Sequence, residues 1–383
     1  MIADRARTFT ESVIREMTRV ANQYGAVNLS QGFPDFPMPA ELKAAACDAI
    51  NADDNQYAIT WGQKPLRDAI AAKYRAWYQF EVDPEQHVTV TCGATEAMAA
   101  VCLALLNAGD EVIVFEPFYE NYGPDAILCG ASPKFIPLEK PDWRLDPDRL
   151  RQAFTKNTRA IIVNTPQNPS GKVLSREEMQ LIADLCVEHD VWAITDEIYE
   201  HIIYGGTHHL LAGFPGMKER TVTISGLSKT FSCTGWRLGY AIAPAEQSVA
   251  IRKVHDFLTV GAPAPLQAAG AVGMRFGREY YAHMSEEYRE RRDLLLPVLA
   301  KAGFTFHVPE GAYYVLADFS ALSKDDDTTF AKWMAREIGV ATVPGSSFYH
   351  PGSPEGKSIV RFAFCKTKPT LEAAAERLAK LTR

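Results

Sequence analysis

Short apolar runs alternate regularly with segments of helical periodicity through the middle of this chain. The runs lie at residues 88–91, 111–115, 160–163, 191–195, 221–225 and 238–243. The clearest helical segment spans residues 176–189, and Ser175 with Glu178 forms a capping-box pattern at its start. Strands that alternate with helices usually belong to parallel sheets with helices on the faces. The sequence therefore predicts an α/β fold with a mostly parallel sheet that helices cover on both faces.

The pattern changes near residue 275. A charged helical stretch at residues 286–299 is followed by strand-like pieces at 312–317 and 358–364. This mixture predicts a separate, smaller α+β domain. The predicted parts are an N-terminal segment that packs with the small domain, the large domain and the small domain itself, at residues 1–45, 46–275 and 276–383.

Charge and cysteine content exclude several classes of protein. The formal net charge is −7 and no basic run is present, whereas proteins that bind nucleic acid present clustered Lys and Arg. The seven cysteines form no C-x-x-C pair, so we expect neither a disulfide framework nor a metal site. No signal-peptide pattern and no membrane-spanning run is evident. We expect a cytoplasmic protein with neither nucleic acid nor a membrane as its partner.

Chemically useful residues follow four of the apolar runs. Gly93-Ala94-Thr95 follows the first run and opens a helix, where free N–H groups favour phosphate. Asn168 follows the third run, Asp196 and Tyr199 follow the fourth, and Lys229 follows the fifth. Ligands of a parallel sheet bind beyond the carboxyl ends of its strands. We therefore expect these groups to meet in one site.

Each group alone has an ordinary structural explanation. Gly93-Ala94 is compatible with a tight turn, Asp196 with a helix cap, and Lys229 with a solvated surface. Taken together, these residues match the requirements of a single cofactor. An amine that forms an imine, an acid opposite a pyridine nitrogen and an anchor for phosphate are what pyridoxal 5′-phosphate requires. We interpret the set as a site for this cofactor.

Longer motifs resemble a known family. "TISGLSKTFSCTGWRLGYAIAP", "NTPQNPSGKVL", "ITDEIYEH" and "TVTCGATEAMAA" are similar to the class I and II aminotransferases, the fold-type-I pyridoxal-phosphate enzymes. "VNLSQGFPDFPMP", "NQYAITWGQKPLRDAIA" and "VRFAFCKT" resemble the branch that contains the kynurenine, glutamine-transaminase and methionine aminotransferases. The similarity covers nearly the whole chain in the family's order. It implies a seven-stranded sheet in the large domain.

The resemblance implies how the cofactor is held. Lys229 would carry it as an internal aldimine and would then move the α-proton of the substrate. Arg237 and the helix start at Gly93-Ala94-Thr95 would bind the phosphate. Asp196 would keep the pyridine nitrogen protonated.

Further ring contacts follow from the same resemblance. Tyr199 and Asn168 match donors to the ring hydroxyl, and Tyr119 matches an aromatic that stacks on the ring, although a core role explains Tyr119 equally well. Many relatives carry a phosphate-binding serine where this chain has Gly226. Either Ser225 or Ser228 is expected to replace it.

The resemblance also implies a substrate site and a partner subunit. Arg361 would bind the substrate α-carboxylate through its planar fork, with Asn168 and the Gly32 N–H as helpers. Tyr57 matches a tyrosine that reaches the neighbouring subunit's phosphate. We therefore expect a homodimer with shared active sites.

The implied activity is transamination between an L-amino acid and a 2-oxo acid by a ping-pong mechanism. Methionine, glutamine, aromatic and kynurenine-like donors remain open, and Trp61, Tyr57, Phe348 and Tyr119 are candidates for an apolar side-chain pocket. The first alternative is a carbon–sulfur β-lyase on the same fold, because only the fate of the carbanion differs. The second is a non-catalytic regulator that binds the cofactor. It is disfavoured because the sequence shows no basic helix-turn-helix.

Overall fold

The computed structural model describes Ala3, Arg7 and residues 11–382 of the 383-residue chain. Strands and helices are numbered in chain order over these residues. The strands are β1 Val27–Asn28, β2 Val88–Thr91, β3 Glu111–Glu116, β4 Ser132–Pro137, β5 Thr158–Asn164, β6 Trp192–Asp196, β7 Thr221–Gly226, β8 Gly239–Ile242, β9 Thr305–Phe306, β10 Tyr314–Asp318, β11 Val340–Ala341, β12 Val343–Pro344 and β13 Ile359–Ala363. The α-helices are α1 Val13–Tyr24, α2 Ala40–Asn51, α3 Lys64–Tyr78, α4 Ala94–Leu105, α5 Tyr122–Leu128, α6 Pro147–Ala153, α7 Arg176–Glu188, α8 Ala245–Thr259, α9 Ala264–Gly273, α10 Arg278–Lys301, α11 Asp327–Trp333 and α12 Lys368–Leu378.

The large sheet has seven strands in the spatial order β2-β8-β7-β6-β5-β3-β4. The ladder from β7 through β6, β5 and β3 to β4 is parallel, whereas β8 runs antiparallel to both β7 and β2. The mostly parallel seven-stranded sheet is therefore confirmed. Strand β4 was not among the apolar runs. It carries Pro133 and Pro137, which lack ladder donors, and it lies at the edge of the sheet, where proline is tolerated.

Helices cover both faces of this sheet. Ile161 of β5 shares a buried cluster with Met179 of α7 on one face. Ile162, the next residue, shares another with Val101 of α4 on the opposite face. Helix α7 begins with the predicted capping box, in which Ser175 and Glu178 bond reciprocally. Across the described ranges, none of the helices combines the length and the apolar character that a membrane crossing needs.

A second region holds a four-stranded antiparallel sheet in the order β12-β13-β10-β9. Its core includes Leu295 of α10 and Leu371 of α12. The N-terminal segment joins this region, because β1 pairs in parallel with β11 through Val27 and Val340. The domain limits at residues 45/46 and 275/276 remain a prediction.

The carboxyl ends of the parallel strands meet at one edge of the large sheet. Asn164 ends β5, Asp196 ends β6, and the two residues pair in register. Gly226 ends β7 and leads into the segment that carries Lys229. This edge is where the polar side chains of the sequence motifs come together.

Candidate active site

A cavity of about 360 Å³ opens at this edge of the sheet. It brings together most of the site residues that the sequence predicted. They are Gly32, Ala94, Thr95, Tyr119, Asn168, Asp196, Tyr199, Ser228, Lys229, Arg237 and Arg361.

One end of the cavity is an anion cradle. Helix α4 begins at Ala94, and Gly93 caps it with a φ of 87°, in the region that favours glycine. A Cβ atom on Gly93 would lie 2.4 Å from Nη2 of Arg237, so the guanidinium rests directly against the helix start. Thr234 accepts a hydrogen bond from Nη1 of Arg237 at 3.0 Å. A permanent cation beside the N–H groups of a helix start suits a phosphate dianion.

Lys229 is half-buried at the centre of the cavity. Its Nζ donates a hydrogen bond to the Gly32 carbonyl at 3.1 Å. Burial lowers the pKa of Lys229 to about 8, with Arg237 and Arg361 acting in the same direction and Asp196 against it. Near pH 8 a substantial fraction of this amine is therefore neutral, which is the form that attacks a carbonyl.

Asp196 is a buried carboxylate at the end of β6. The Tyr122 hydroxyl donates to its Oδ2 at 2.8 Å, and the Ile198 N–H donates to its Oδ1 at 3.3 Å. Burial raises the pKa of Asp196, and the hydrogen bond from Tyr122 opposes this rise. A second cavity carboxyl, Asp125, lacks a partner for its Oδ2 among the described residues, and burial raises its pKa to about 7. A buried acid opposite an amine fits the protonated nitrogen of a pyridine ring.

Arg361 lies on β13 and is 1% exposed. Its Nη1 donates to Oδ1 of Asn168 at 2.8 Å, and its Nη2 donates to the Ser30 carbonyl at 2.9 Å. Its Nε has no hydrogen-bond partner in the described part of the chain. The guanidinium lies 4.2 Å from the Tyr314 ring centre and 4.8 Å from that of Phe348. A buried cation without a carboxylate partner among the described residues can accept a carboxylate from a ligand.

Tight contacts join the N-terminal segment to this site. The Tyr199 and Tyr314 hydroxyl oxygens are 3.0 Å apart, and the Tyr313 hydroxyl donates to the Gly32 carbonyl at 2.8 Å. A Cβ atom on Gly32 would lie 1.8 Å from the Tyr314 hydroxyl oxygen, so only glycine fits there. Residue 32 is thereby held between β10 and Lys229.

Packing distinguishes Ser225 from Ser228 as the candidate phosphate-binding serine. A Cβ atom on Gly226 would lie 2.8 Å from the Leu238 carbonyl oxygen, which leaves no room for a serine. Ser225 is buried and donates to Glu200 at 2.8 Å, away from the cavity. Of the two serines considered, only Ser228 lines the cavity.

Three predicted aromatic positions lie outside the cavity wall. Tyr57 is 88% exposed and does not line the cavity of its own chain. Trp61 packs under Arg252, whose guanidinium carbon is 5.0 Å from the ring centre. Phe348 is buried behind Arg361 rather than in the wall. Of the four candidate aromatics, Tyr119 lines this cavity and the other three do not. A side-chain pocket that uses Trp61, Tyr57 and Phe348 stays a prediction.

One cluster of potential metal ligands lies behind the site. Glu197, Glu200 and His208 offer ligand atoms within 4.8 Å of one another. These groups already have partners, because Lys73 contacts Glu200 at 2.5 Å and His208 contacts Glu197 at 2.8 Å. The ammonium of Lys73 occupies the position where a cation would neutralise Glu200.

Sequence reasoning missed several residues of the site. Tyr122 and Asn164 hold Asp196, the latter by donating from Nδ2 to the Asp196 carbonyl at 2.8 Å. Tyr314 and Arg15 also line the cavity. Asn164 directly follows the apolar run at residues 160–163, and this position at the end of a predicted strand could have identified it. The others sit in helical or strand patterns where an isolated tyrosine or arginine has no distinctive spacing.

The donor set fits pyridoxal phosphate in three separate ways. The Gly93–Arg237 contact leaves a cradle that a Cβ would fill, Lys229 presents an amine of lowered pKa, and Asp196 presents a buried carboxylate. Asn168 keeps its Nδ2 free of described partners while Oδ1 is engaged. The cavity thus offers an anchor, a nucleophile, an acid and a hydrogen-bond donor to one aromatic ligand.

Comparison with known proteins agrees with this geometry. The sequence model of the family described as "Aminotransferase class I and II" matches residues 24–378. The "Probable N-succinyldiaminopimelate aminotransferase DapC" of Mycobacterium tuberculosis is 42% identical, over 100% of this chain and 98% of that protein. A solved structure of N-succinyldiaminopimelate aminotransferase from that organism superposes with a TM-score of 0.97 at 42% identity, covering 100% of both chains.

Two further relatives match the branch that the sequence motifs indicated. The methionine aminotransferase of Escherichia coli K12 is 38% identical, over 97% of this chain and 96% of that protein. The human kynurenine–oxoglutarate transaminase 1 is 36% identical, over 95% of this chain and 94% of that protein. The motifs did not point to the N-succinyldiaminopimelate enzyme. The matches and the site together show that this chain belongs to the class I and II aminotransferases, whose members use pyridoxal 5′-phosphate.

Proposed function

We propose that this aminotransferase moves an amino group between an L-amino acid and a 2-oxo acid in two half-reactions, a ping-pong mechanism, at the cavity around Lys229. The observation that carries the proposal is the pairing of two groups in one cavity. Arg361 is a buried cation without a carboxylate partner among the described residues, and Lys229 is an amine whose pKa is lowered to about 8. Arg361 holds the α-carboxylate, and Lys229 moves the α-proton.

The remaining residues position the reactants. Pyridoxal phosphate, when bound, supplies a protonated ring that withdraws the electron pair left by the α-proton. Asp196 would stabilise the proton on the ring nitrogen, and Asn168 and Tyr199 would donate to the ring hydroxyl. The helix start at Ala94-Thr95, Ser228 and Arg237 would bind the phosphate, and Tyr119 would contact the ring. Gly32 presents its N–H to the α-carboxylate beside Arg361.

The donor is proposed from the cavity wall and from the relatives. Ile14, Met98, Tyr119 and Ile198 contribute apolar surface to the lining. Such a wall favours donors with an apolar or aromatic stem, which includes methionine, aromatic amino acids and kynurenine. The N-succinyldiaminopimelate enzyme of M. tuberculosis adds its own substrate to the candidates.

We expect borohydride reduction to fix the cofactor covalently on the peptide that contains Lys229. The physical reason is that this half-buried lysine is substantially neutral near pH 8, the form needed to attack an aldehyde. Peptide mapping measures the attachment, and a Lys229→Ala variant is the control. Attachment to another lysine in the native protein would contradict the assignment.

A product assay separates the proposed activity from the carbon–sulfur lyase. With a sulfur-containing donor and a 2-oxo acid, transamination yields a new amino acid and releases no ammonia. Stoichiometric ammonia and thiol would instead identify the lyase. A panel of donors and acceptors in the same assay then ranks the substrates.

We further propose a homodimer whose interface adjoins the anion cradle. Tyr57, Ile59, Phe257, Leu258 and Val260 expose between 46% and 92% of their surface, a group that we call the apolar edge. Tyr57 and Ile59 lie in the loop before α3, and the other three residues lie at the end of α8. His255 of α8 links these two parts to α4, because it contacts both the Thr60 carbonyl of the loop and Glu96 of α4. Exposed apolar groups clustered beside a ligand site are typical of subunit contacts.

We expect Phe257→Glu to shift the protein to a monomer and to weaken cofactor retention. A charge at a buried interface position costs far more than the same charge on an open surface. Sizing chromatography with light scattering measures the mass, and absorbance measures the cofactor. Val308→Glu is the matched control, because Val308 is 50% exposed and lies outside the apolar edge. A native protein that is monomeric and fully active would refute the shared site.

A further inference from the structure

One buried carboxyl of the cavity has no task in the proposed function. Asp125 lies on α5, is 6% exposed and lines the cavity. Its carboxyl has no hydrogen-bond or ion-pair partner among the described residues. Asp196, by contrast, accepts hydrogen bonds from the Tyr122 hydroxyl and the Ile198 N–H. A buried carboxyl without a partner is costly, so its place in a ligand cavity indicates a partner that the ligand supplies.

Asp125 lies at the same end of the cavity as Asp196. Tyr122 and Asp125 are three residues apart on α5, and residues at this spacing share a face of a helix. The Tyr122 hydroxyl donates to Asp196 at 2.8 Å. Burial raises the pKa of Tyr122, and the negative charges of Asp196 and Asp125 both add to this rise. Tyr122 is therefore close to two acids and forms a hydrogen bond with only one of them.

The titratable groups around Asp125 do not compensate its charge. They are Tyr122 and Cys129 on or next to its own helix and Cys102 of α4, which packs against α5. Burial raises the pKa of both thiols, and the negative charge of Asp125 adds to the rise. Burial also raises the pKa of Asp125 itself, and neither a described cation nor a hydrogen bond opposes this rise. A cation that enters the cavity at this end would therefore stabilise the ionised form of Asp125.

We propose that Asp125 is a second acid for the cofactor ring, which adds a negative charge beside the Tyr122–Asp196 pair and so stabilises the proton on the ring nitrogen. This inference rests on the proposed function, in which Asp196 makes the direct contact with that nitrogen. Asp125 acts on the same positive charge through space. Because the charged ring favours ionised Asp125, binding of the ring releases the Asp125 proton to solvent. The affinity for the cofactor therefore rises with pH across the range in which Asp125 ionises.

The test measures the affinity of the full-length protein for pyridoxamine 5′-phosphate by equilibrium dialysis. This form of the cofactor has the same ring and phosphate but an amine in place of the aldehyde, so it forms no covalent bond with Lys229. At about pH 8 we expect Asp125→Asn to lower the affinity about tenfold, the equivalent of a shift of about one unit in the Asp125 pKa. At about pH 5.5, where Asp125 is mostly protonated, the loss should be less than about twofold. No loss at the higher pH, or the same loss at both, would overturn the proposal.

Glu120→Gln is the matched control, because Glu120 is another carboxylate of the cavity wall and is bonded to Ser12. It removes one negative charge from the cavity and should leave the pH dependence of the affinity unchanged. Equal loss in both variants would reflect the total charge of the cavity and would overturn the role of Asp125. Failure of the proposed function looks different, because wild type would then show no half-reaction with any donor.

A melting experiment separates this role from a structural one. Folding raises the pKa of Asp125 from its ordinary value of 3.8 to about 7, so the carboxyl destabilises the unliganded protein increasingly as the pH rises between these values, and fully above them. We expect Asp125→Asn to melt at a higher temperature than wild type at about pH 8, and this gain to shrink when pyridoxamine 5′-phosphate saturates the site. A lower melting temperature without ligand, or an equal gain with and without it, would refute the proposal.

Discussion

Replacing Asp196 with asparagine is expected to slow the half-reaction by about 10²–10³-fold, which is typical for loss of one preorganised electrostatic contact in an active site. The amide keeps an oxygen that can accept from the Tyr122 hydroxyl, now 2.8 Å from Oδ2, so the fold should be preserved. The amide cannot stabilise a proton on the ring nitrogen. Stopped-flow absorbance measures the rate, and circular dichroism checks the fold. A rate within threefold of wild type would show that another group performs this task.

A milder variant is Tyr122→Phe, which removes the hydroxyl that donates to Asp196 and keeps the Asp196 carboxylate. The Tyr122 hydrogen bond holds the pKa of Asp196 down against burial, so its loss raises that pKa further. The ionised, active form then disappears at a higher pH. We expect the acid limb of the pH–rate profile to move to higher pH, while the rate on the plateau at high pH changes little. Asp125 also lines the cavity with a pKa of about 7, and Asp125→Asn separates its contribution.

The parallel sheet was predictable because its strands are apolar on both faces. Each of the six runs forms one of the seven strands, and the missing strand, β4, carries two prolines at the edge. The antiparallel direction of β8 was not predictable from its residues. Pairing direction depends on how the chain returns after β7, and the same apolar residues serve either direction.

The residues of the site divide in the same way. Lys229, Asp196 and Asn168 follow buried strands, where a polar side chain interrupts an apolar pattern and signals a ligand. Tyr122 and Arg15 lie in the first turns of α5 and α1, where neither residue interrupts the helical pattern, so only tertiary structure brings them to the cavity. The roles of these side chains remain proposals that the variants test.

The largest effect on substrate binding is expected at Arg361. Its guanidinium is fixed by Asn168 and the Ser30 carbonyl and lies between the rings of Tyr314 and Phe348. A planar fork held in this way can form two parallel hydrogen bonds with a carboxylate, whereas an ammonium presents a point charge. Arg361→Lys therefore keeps the charge and loses the geometry. We expect KM for the amino acid to rise about 10–100-fold, the range for loss of a charge-assisted hydrogen bond, while the cofactor stays bound.

The decisive measurement compares norleucine with pentylamine, which is the same molecule without the carboxylate. Wild type should strongly prefer the acid, and Arg361→Lys should lose most of that preference. Arg291→Lys is the matched control, because Arg291 is also a buried arginine of the second region but does not line the cavity. It donates to the Lys366 and Glu287 carbonyls and lies 3.8 Å from the Glu287 carboxylate. It reproduces the cost of placing a lysine in a buried arginine site without touching the cavity. If Arg361→Lys keeps the full preference, or if Arg291→Lys loses it equally, then the α-carboxylate is held elsewhere and the assignment of Arg361 is wrong.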